Sequence, residues 1–370
     1  MIKKTLKIIG VILLLALMTL VYFLLPNEAE KLRSDNNALG YLELLKKAKV
    51  SEPNPNVYAS SQITPDNSLF EGVLALQRGR YGIAEQKLKP LMEAGDIDAM
   101  YWYAETILGS SVYATVEAAD LFVKAAELGN PYAALRLTPG TTDCKRYLGY
   151  RCSEEWVEKG EVLLKARAEQ GDVKAQYYVN VIKNPRSKDD YQRNIDLVTQ
   201  AANNGYYIPL VDNLKRLGNY KSLTQEKKQA LVELLKLAAN NNFVPAMEHL
   251  YDYYIDFIGD ETAYTYSIKA AQLGSTNAIW AVENVSVKRA NDNYRKPIVT
   301  AYQFALIENE LVPAKNIMDR VDYMIRKKAE LTITEAEKQQ ARLAADEFMS
   351  QMTPVIYIDE LHPQHARFGF

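Results

Sequence analysis

The sequence predicts an all-α fold, a solenoid of αα-hairpin repeats preceded by an N-terminal transmembrane helix. Three observations predict it. A turn of small residues, a glycine and a helix-capping residue returns at intervals of 32 to 42 residues from Gly95 to Gly274. The segments between turns carry apolar residues at helical spacing. The chain opens on three lysines followed by a charge-free apolar run from Ile8 to Leu25.

The opening run comes first in the chain. Eighteen helical residues span about 27 Å, close to the hydrocarbon thickness of a bilayer. Lys3, Lys4 and Lys7 precede the run, so the positive-inside bias places everything after Pro26 outside the cytoplasm. A cleaved signal peptide is the competing reading. The run is longer than a usual signal core, however, and no small-x-small cleavage site closes it, since VYFLLP is bulky up to the proline. Residues 1–26 are therefore expected to be a transmembrane anchor or signal sequence, with the array in the periplasm on a bacterial inner membrane. Residues 27–67 are polar with proline punctuation and are expected to be a tether, with a short helix at Gly40 to Lys49.

The repeats begin near Ser68. Ala118 to Leu137, AADLFVKAAELGNPYAALRL, is the reference copy. Ala118, Leu121, Phe122 and Ala125 recur at helical spacing, Gly129 can close the helix in a left-handed conformation, Asn130 caps the next helix and Pro131 occupies its first position. The turn residue recurs at Gly95, Gly129, Gly171, Gly205, Asn242 and Gly274, with a faded copy at Glu310. Asp96, Asn130, Asp172 and Ser275 follow it as N-caps, and Asn242 is the substitution a left-handed position tolerates best. A period of this length marks a helical solenoid, because a lone hairpin cannot bury both its apolar faces. Pro90 falls inside an expected helix and should kink or restart it.

KAAELGN at Lys124 to Asn130, KAAQLGS at Lys269 to Ser275 and the loop Gly109-Ser-Ser-Val112 resemble the pattern of Sel1-like repeat proteins, over roughly Ser68 to Asn316. Tetratricopeptide repeats are the nearest rival, and the Ala-Ala-x-x-Gly-cap turn favours the Sel1-like side. The resemblance implies a right-handed superhelix with a concave groove. The repeat array is placed at 68–316, about six to seven repeats, followed by C-terminal capping helices at 317–352, where Thr334 and Glu337 have capping-box spacing, and a tail at 353–370.

The 42-residue interval holds an insertion of about eight residues with both cysteines, Cys144 and Cys152. Outside the cytoplasm a disulfide is the natural reading, and it would close a nine-residue loop. Free buried thiols are the alternative.

With Lys3, Lys4 and Lys7 set aside, the 44 basic residues become 41 against 46 acidic ones, which argues against a nucleic-acid partner. Two cysteines and three histidines exclude a multi-cysteine zinc module or an iron–sulfur cluster. The chain has no phosphate-binding glycine loop, nucleophile elbow or HExxH helix. His362 and His365 lack a third ligand. No catalytic residue, metal or cofactor is expected, and a small-molecule substrate is not.

Tyrosine is the informative chemistry. Rings recur at corresponding places in successive repeats, and adjacent ones lie 100° apart on a helix, so at least one of each pair is a candidate for the surface. Tyr101, Trp102, Tyr177, Tyr178, Tyr206, Tyr207 and Trp280 are the candidate partner-binding rings, and Glu105 and Glu248 are the candidate charges beside them. The expected function is a non-enzymatic, envelope-anchored scaffold that binds another protein in its groove. The resemblance also implies an alternative, an immunity protein neutralising a lipase-type effector delivered to the periplasm by a secretion system. A cell-envelope enzyme is the alternative from another class.

Overall fold

The computed structural model describes residues 44–46, 52–183, 185–215, 224–253, 255–291, 293–312 and 316–363. The expected transmembrane segment at 1–26 lies outside them; none of the described helices is long and apolar enough to cross a membrane.

The described residues form an all-helical stack, with isolated β-bridges and no longer strand among them. In chain order the helices are α1 (Phe70–Gln77), α2 (Tyr81–Glu93), α3 (Ile97–Ile107), α4 (Val112–Glu127), α5 (Pro131–Arg136), α6 (Glu155–Glu169), α7 (Val173–Asn180), α8 (Lys188–Asn203) and α9 (Ile208–Lys215). There follow α10 (Gln225–Asn240), α11 (Val244–Tyr253), α12 (Ile255–Ile258), α13 (Asp260–Gln272), α14 (Thr276–Arg289), α15 (Lys296–Leu311), α16 (Ile317–Lys328) and α17 (Glu335–Ser350). Extensive helix packing joins only elements one or two apart in the chain, the arrangement of a solenoid.

The turns explain the stack. Gly95, Gly129, Gly171, Gly205 and Gly274 all have positive φ, and Asn242 takes the same conformation at φ 63°. Asp96, Asn130, Asp172 and Ser275 each accept a hydrogen bond from the amide three residues on, which caps α3, α5, α7 and α14. Ala125, Ala126, Ala133 and Ala134 flank one such turn and are all fully buried. With no side chain beyond Cβ, they let α4 and α5 approach closely.

Two expectations are corrected here. Pro90 does not restart the helix, since α2 runs through it to Glu93. The carbonyl that proline leaves without a donor belongs to Gln86, an exposed residue on the solvent side, where water can satisfy it. Glu310 is not a turn residue either, because α15 continues through it to Leu311, and the positive φ falls at Asn316.

The array curls far enough to bring the end of α1 to the sixth turn. A Cβ placed on Gly274, in the sixth turn, would lie 2.9 Å from Nη2 of Arg78 at the end of α1 and 3.1 Å from Cβ of Pro354. The main core therefore includes residues from α1 to α15 and the segment Val355–Ile358 together. A second apolar cluster, built on Ile298, Ile317, Val321 and Ile325, joins α15 to α17. There Arg320 bridges Glu283, whose side chain is fully buried, and Glu308. Thr334 and Glu337 form a reciprocal capping box at the start of α17.

The polar stretch at 27–67 is not a free tether in its described part. The Asn54 amide donates to the Asn240 carbonyl at 2.7 Å, and Nδ2 of Asn242 donates to the carbonyls of Asn54 and Asn56. Asparagine at the fifth turn therefore supplies a side-chain donor that glycine would lack. Leu44 is buried and lines one depression with Val198, Leu210 and Leu234. The segment also seals the fourth turn, since a Cβ on Gly205 would lie 2.6 Å from the Ala59 carbonyl oxygen, at a residue whose φ is +80°. Gly205→Ala should cost about 2 kcal/mol from strain and clash together. Urea unfolding checks this, with Gly171→Ala, where space is open at φ +94°, losing less.

Candidate functional site

The inner face of the array is occupied by the chain's own C-terminal segment. After α17 the backbone extends, and Val355, Ile356, Tyr357 and Ile358 are all nearly fully buried. Four consecutive apolar residues without helical caps suit a strand-like segment covered on every side.

Its backbone is held in register by different repeats. The amides of Thr353 and Val355 donate to the carbonyls of Gln272 and Leu273, both at 3.0 Å. Gln77, at the end of α1, donates from Nε2 to the Val355 carbonyl at 3.0 Å and accepts at Oε1 from the amides of Tyr357 and Ile358. Ser61 accepts from the Ile356 amide and donates to its carbonyl. A single glutamine thus serves three backbone groups, as a neighbouring strand would.

The acidic end of the segment is recognised by side chains. Tyr206 donates to Oδ2 of Asp359 at 2.7 Å. Lys174, on α7, lies 2.5 Å from Oε2 of Glu360 and 5.0 Å from the centroid of the Tyr132 ring. Tyr101 donates to the Glu360 carbonyl. Asp359 turns the chain back by accepting from the amides of Leu361 and His362, and the His362 ring lies between Asp359 at 3.0 Å and Asp212 of α9 at 3.3 Å.

Electrostatics favours the charged forms of His362, Asp359 and Lys174, whereas at Glu360 burial outweighs the attraction of Lys174 and raises the carboxyl pKa. Burial works against the His362 imidazolium, but Asp359 and Asp212 outweigh it and raise its pKa to about 9. Burial also opposes ionisation of Asp359, yet His362, Lys174 and the Tyr206 hydroxyl hold its carboxyl down at about 2. Lys174 is kept charged despite burial by Glu360, Asp359 and Asp172.

Most of the predicted partner-binding residues lie inside, not on a free surface. Tyr101, Trp102, Tyr206 and Tyr207 are buried, and Tyr177 and Tyr178 are half-buried with their rings edge to face at 5.2 Å. Glu105 is buried against Arg136 with Nε at 2.5 Å, and Glu248 is buried and accepts from Ser275 at 2.6 Å. Trp280 alone of the nine is exposed, at 51%. On α3 the 100° offset between Tyr101 and Trp102 brings neither ring to the surface, for a physical reason. An inner helix packs on its hairpin partner, on the hairpins before and after it and, here, on the tail, so no face of α3 is left for solvent.

The surface rings lie elsewhere. Cys144 and Cys152 are joined in a disulfide with a Cα separation of 6.0 Å, and the loop between them exposes Tyr147 and Tyr150. Arg151 stacks on the Tyr150 ring and pairs with Asp120 of α4, while the Trp156 indole donates to the Arg151 carbonyl. A Cβ on Gly109 would lie 3.9 Å from the Tyr147 ring, which puts the loop beside the start of α4, where Tyr113 is 90% exposed. Replacing both cysteines by serine should lower stability by about 2 to 3 kcal/mol, the loop-closure entropy for a nine-residue loop. Thermal unfolding with and without reductant measures this, the serine variant becoming insensitive to reductant.

Sequence reasoning missed Lys174, Gln77, Asp359 and Glu360 as one site. The available signal was the tail itself, a continuous apolar run leading directly into two carboxylates. Among the described residues no group of three or more His, Cys, Asp or Glu side chains is placed to hold a metal ion.

No protein-family model matches the chain, and no curated protein matches it. Among solved structures it is similar to c5321, a protective antigen present in uropathogenic Escherichia coli strains and displaying an SLR fold, with 17% sequence identity and a TM-score of 0.40. The alignment covers 80% of this chain and 62% of that one, so the chain spans less than two thirds of its length. The hairpin array described above stands on this chain's own turns.

Proposed function

We propose that this chain is a non-enzymatic scaffold that binds protein partners, held at the bacterial inner membrane by residues 1–26 with its repeats in the periplasm. One observation carries the binding half of this reading: the inner face grips an extended polypeptide through main-chain hydrogen bonds and buried charge pairs. A surface that binds one segment in this way is suited to proteins rather than to small substrates. The lysine-flanked apolar run supports the membrane half, and the Cys144–Cys152 disulfide suits an oxidising compartment.

In mild-detergent extracts of native membranes, the chain should migrate as a stoichiometric complex with a second polypeptide that can be rebuilt from the two purified components. A free, monodisperse chain in those membranes would count decisively against the scaffold. Mass spectrometry of the partner separates a resident envelope protein from a delivered lipase-type effector. For topology, alkaline phosphatase fused after Asn67 should be active; activity confined to a cytoplasmic reporter at the same junction would overturn export.

A further inference from the structure

We infer that the inner face is a recognition site for an extended partner segment of the pattern aliphatic–aliphatic–tyrosine–aliphatic–aspartate–glutamate, and that residues 353–363 occupy it as an intramolecular mimic which such a segment displaces. The inference rests on the reading of the chain as a protein-binding scaffold and names the chemistry of the bound partner.

Three features of the site carry it. The segment has no helix or sheet of its own. Its backbone is held by Gln77, Ser61 and the sixth turn, groups that would hold any extended chain equally well. Specificity lies in the side chains at the acidic end, where Tyr206 meets Asp359 and Lys174 meets Glu360. A plug that only closed the core would be as stable with apolar residues at those places, because desolvating buried ions offsets most of their attraction. Buried ionic pairs instead fix one register and reject segments that lack the carboxylates. Lys174 is aimed at a glutamate from the groove side, so complementarity is built into the array and not only into the tail. The segment follows directly on α17, which ends at Ser350, and can leave without unfolding a helix.

The test uses the full chain and a fluorescein-labelled synthetic peptide of residues 353–363, TPVIYIDELHP, followed by anisotropy. The wild-type chain should bind it weakly, because its own tail competes. The Asp359→Asn/Glu360→Gln chain, whose tail is weakened, should bind the unaltered peptide at least tenfold more tightly. That gain should vanish with a peptide carrying Asn-Gln for Asp-Glu, or when Lys174→Met is added to the chain. Affinities within twofold across these folded chains would overturn the inference, as would tail-exchanged dimers formed without any peptide binding. Should the double variant fail to fold, wild-type chain with excess peptide decides: hydrogen exchange at the chain's own Tyr357 and Ile358 amides should accelerate, and unchanged exchange would refute displacement. Peptide binding in a chain that has no partner in native membranes would leave this site standing and remove the scaffold reading.

Discussion

Arg136→Met is expected to lower the unfolding free energy by about 3 to 5 kcal/mol. Arg136 ends α5 with its side chain 11% exposed and pairs with both Glu105 and Asp143. Burial opposes its charge, and Glu105, Tyr101 and Asp143 more than compensate. Removing the guanidinium leaves the Glu105 carboxylate, 1% exposed, without its cation in the core. The double variant Arg136→Met/Glu105→Gln should recover a large part of the loss, because it replaces a buried anion by a neutral group. The Tyr101 hydroxyl, with one proton to give, lies within hydrogen-bonding reach of both Glu105 and the Glu360 carbonyl, so a Glu105 carboxylate stripped of its cation should compete for that proton and loosen the tail. Urea titration followed by circular dichroism reads the loss. Lys87→Met at the exposed Glu71 pair is the control and should shift the midpoint little. Equal shifts in the two variants would refute the buried-ion argument.

The second large effect is on pH. The His362 pKa is raised on docking from 6.5 to about 9, so its contribution is fully present below pH 6.5 and is lost as pH rises through 9. The gap corresponds to as much as about 3 kcal/mol of docking free energy. The Asp359 pKa is depressed from 3.8 to about 2, so its contribution is present above pH 3.8 and lost as pH falls through 2. Tail docking should therefore be strongest between about pH 4 and pH 6.5. The charged groups against the His362 ring are Asp359 on the tail and Asp212 on α9, and Lys174 and Glu360 act on Asp359 in turn. Hydrogen exchange at Tyr357 and Ile358, corrected for intrinsic base catalysis, should show protection falling from pH 6 to pH 9. His362→Gln should flatten the profile. Equal corrected protection at the two pH values would remove His362 from the docking mechanism.

The parts of the fold that were legible are those written in local chemistry. A glycine or asparagine that must take positive φ, followed by a side chain that must cap a helix, is recognisable wherever it stands, and so Gly129-Asn130 could be matched to Gly95-Asp96, Gly171-Asp172 and Gly274-Ser275. The candidate site was less legible. Tyr101 and Tyr206 were singled out as rings for a partner; the structure brings both to a peptide, but the peptide is the chain's own tail. Tyr147 and Tyr150, in the Cys144–Cys152 insertion, are among the more exposed rings described, although neither belongs to the rings that repeat position marks as partner-binding. Whether a ring in a repeat meets solvent depends on what covers the repeat, and periodicity carries no record of the cover.

By itself, the sequence determined the hairpin unit, its helical spacing and the turns at Gly95, Gly129, Gly171, Gly205, Asn242 and Gly274. Those follow from backbone conformation and from contacts within some forty residues. Tertiary structure alone decided that the end of α1 meets the sixth turn, that Gln77 and Leu273 hold the same extended segment, and that Lys174 faces Glu360 at a sequence separation of 186. The small rotation between neighbouring hairpins accumulates along the array, and only the sum determines which surfaces close on one another.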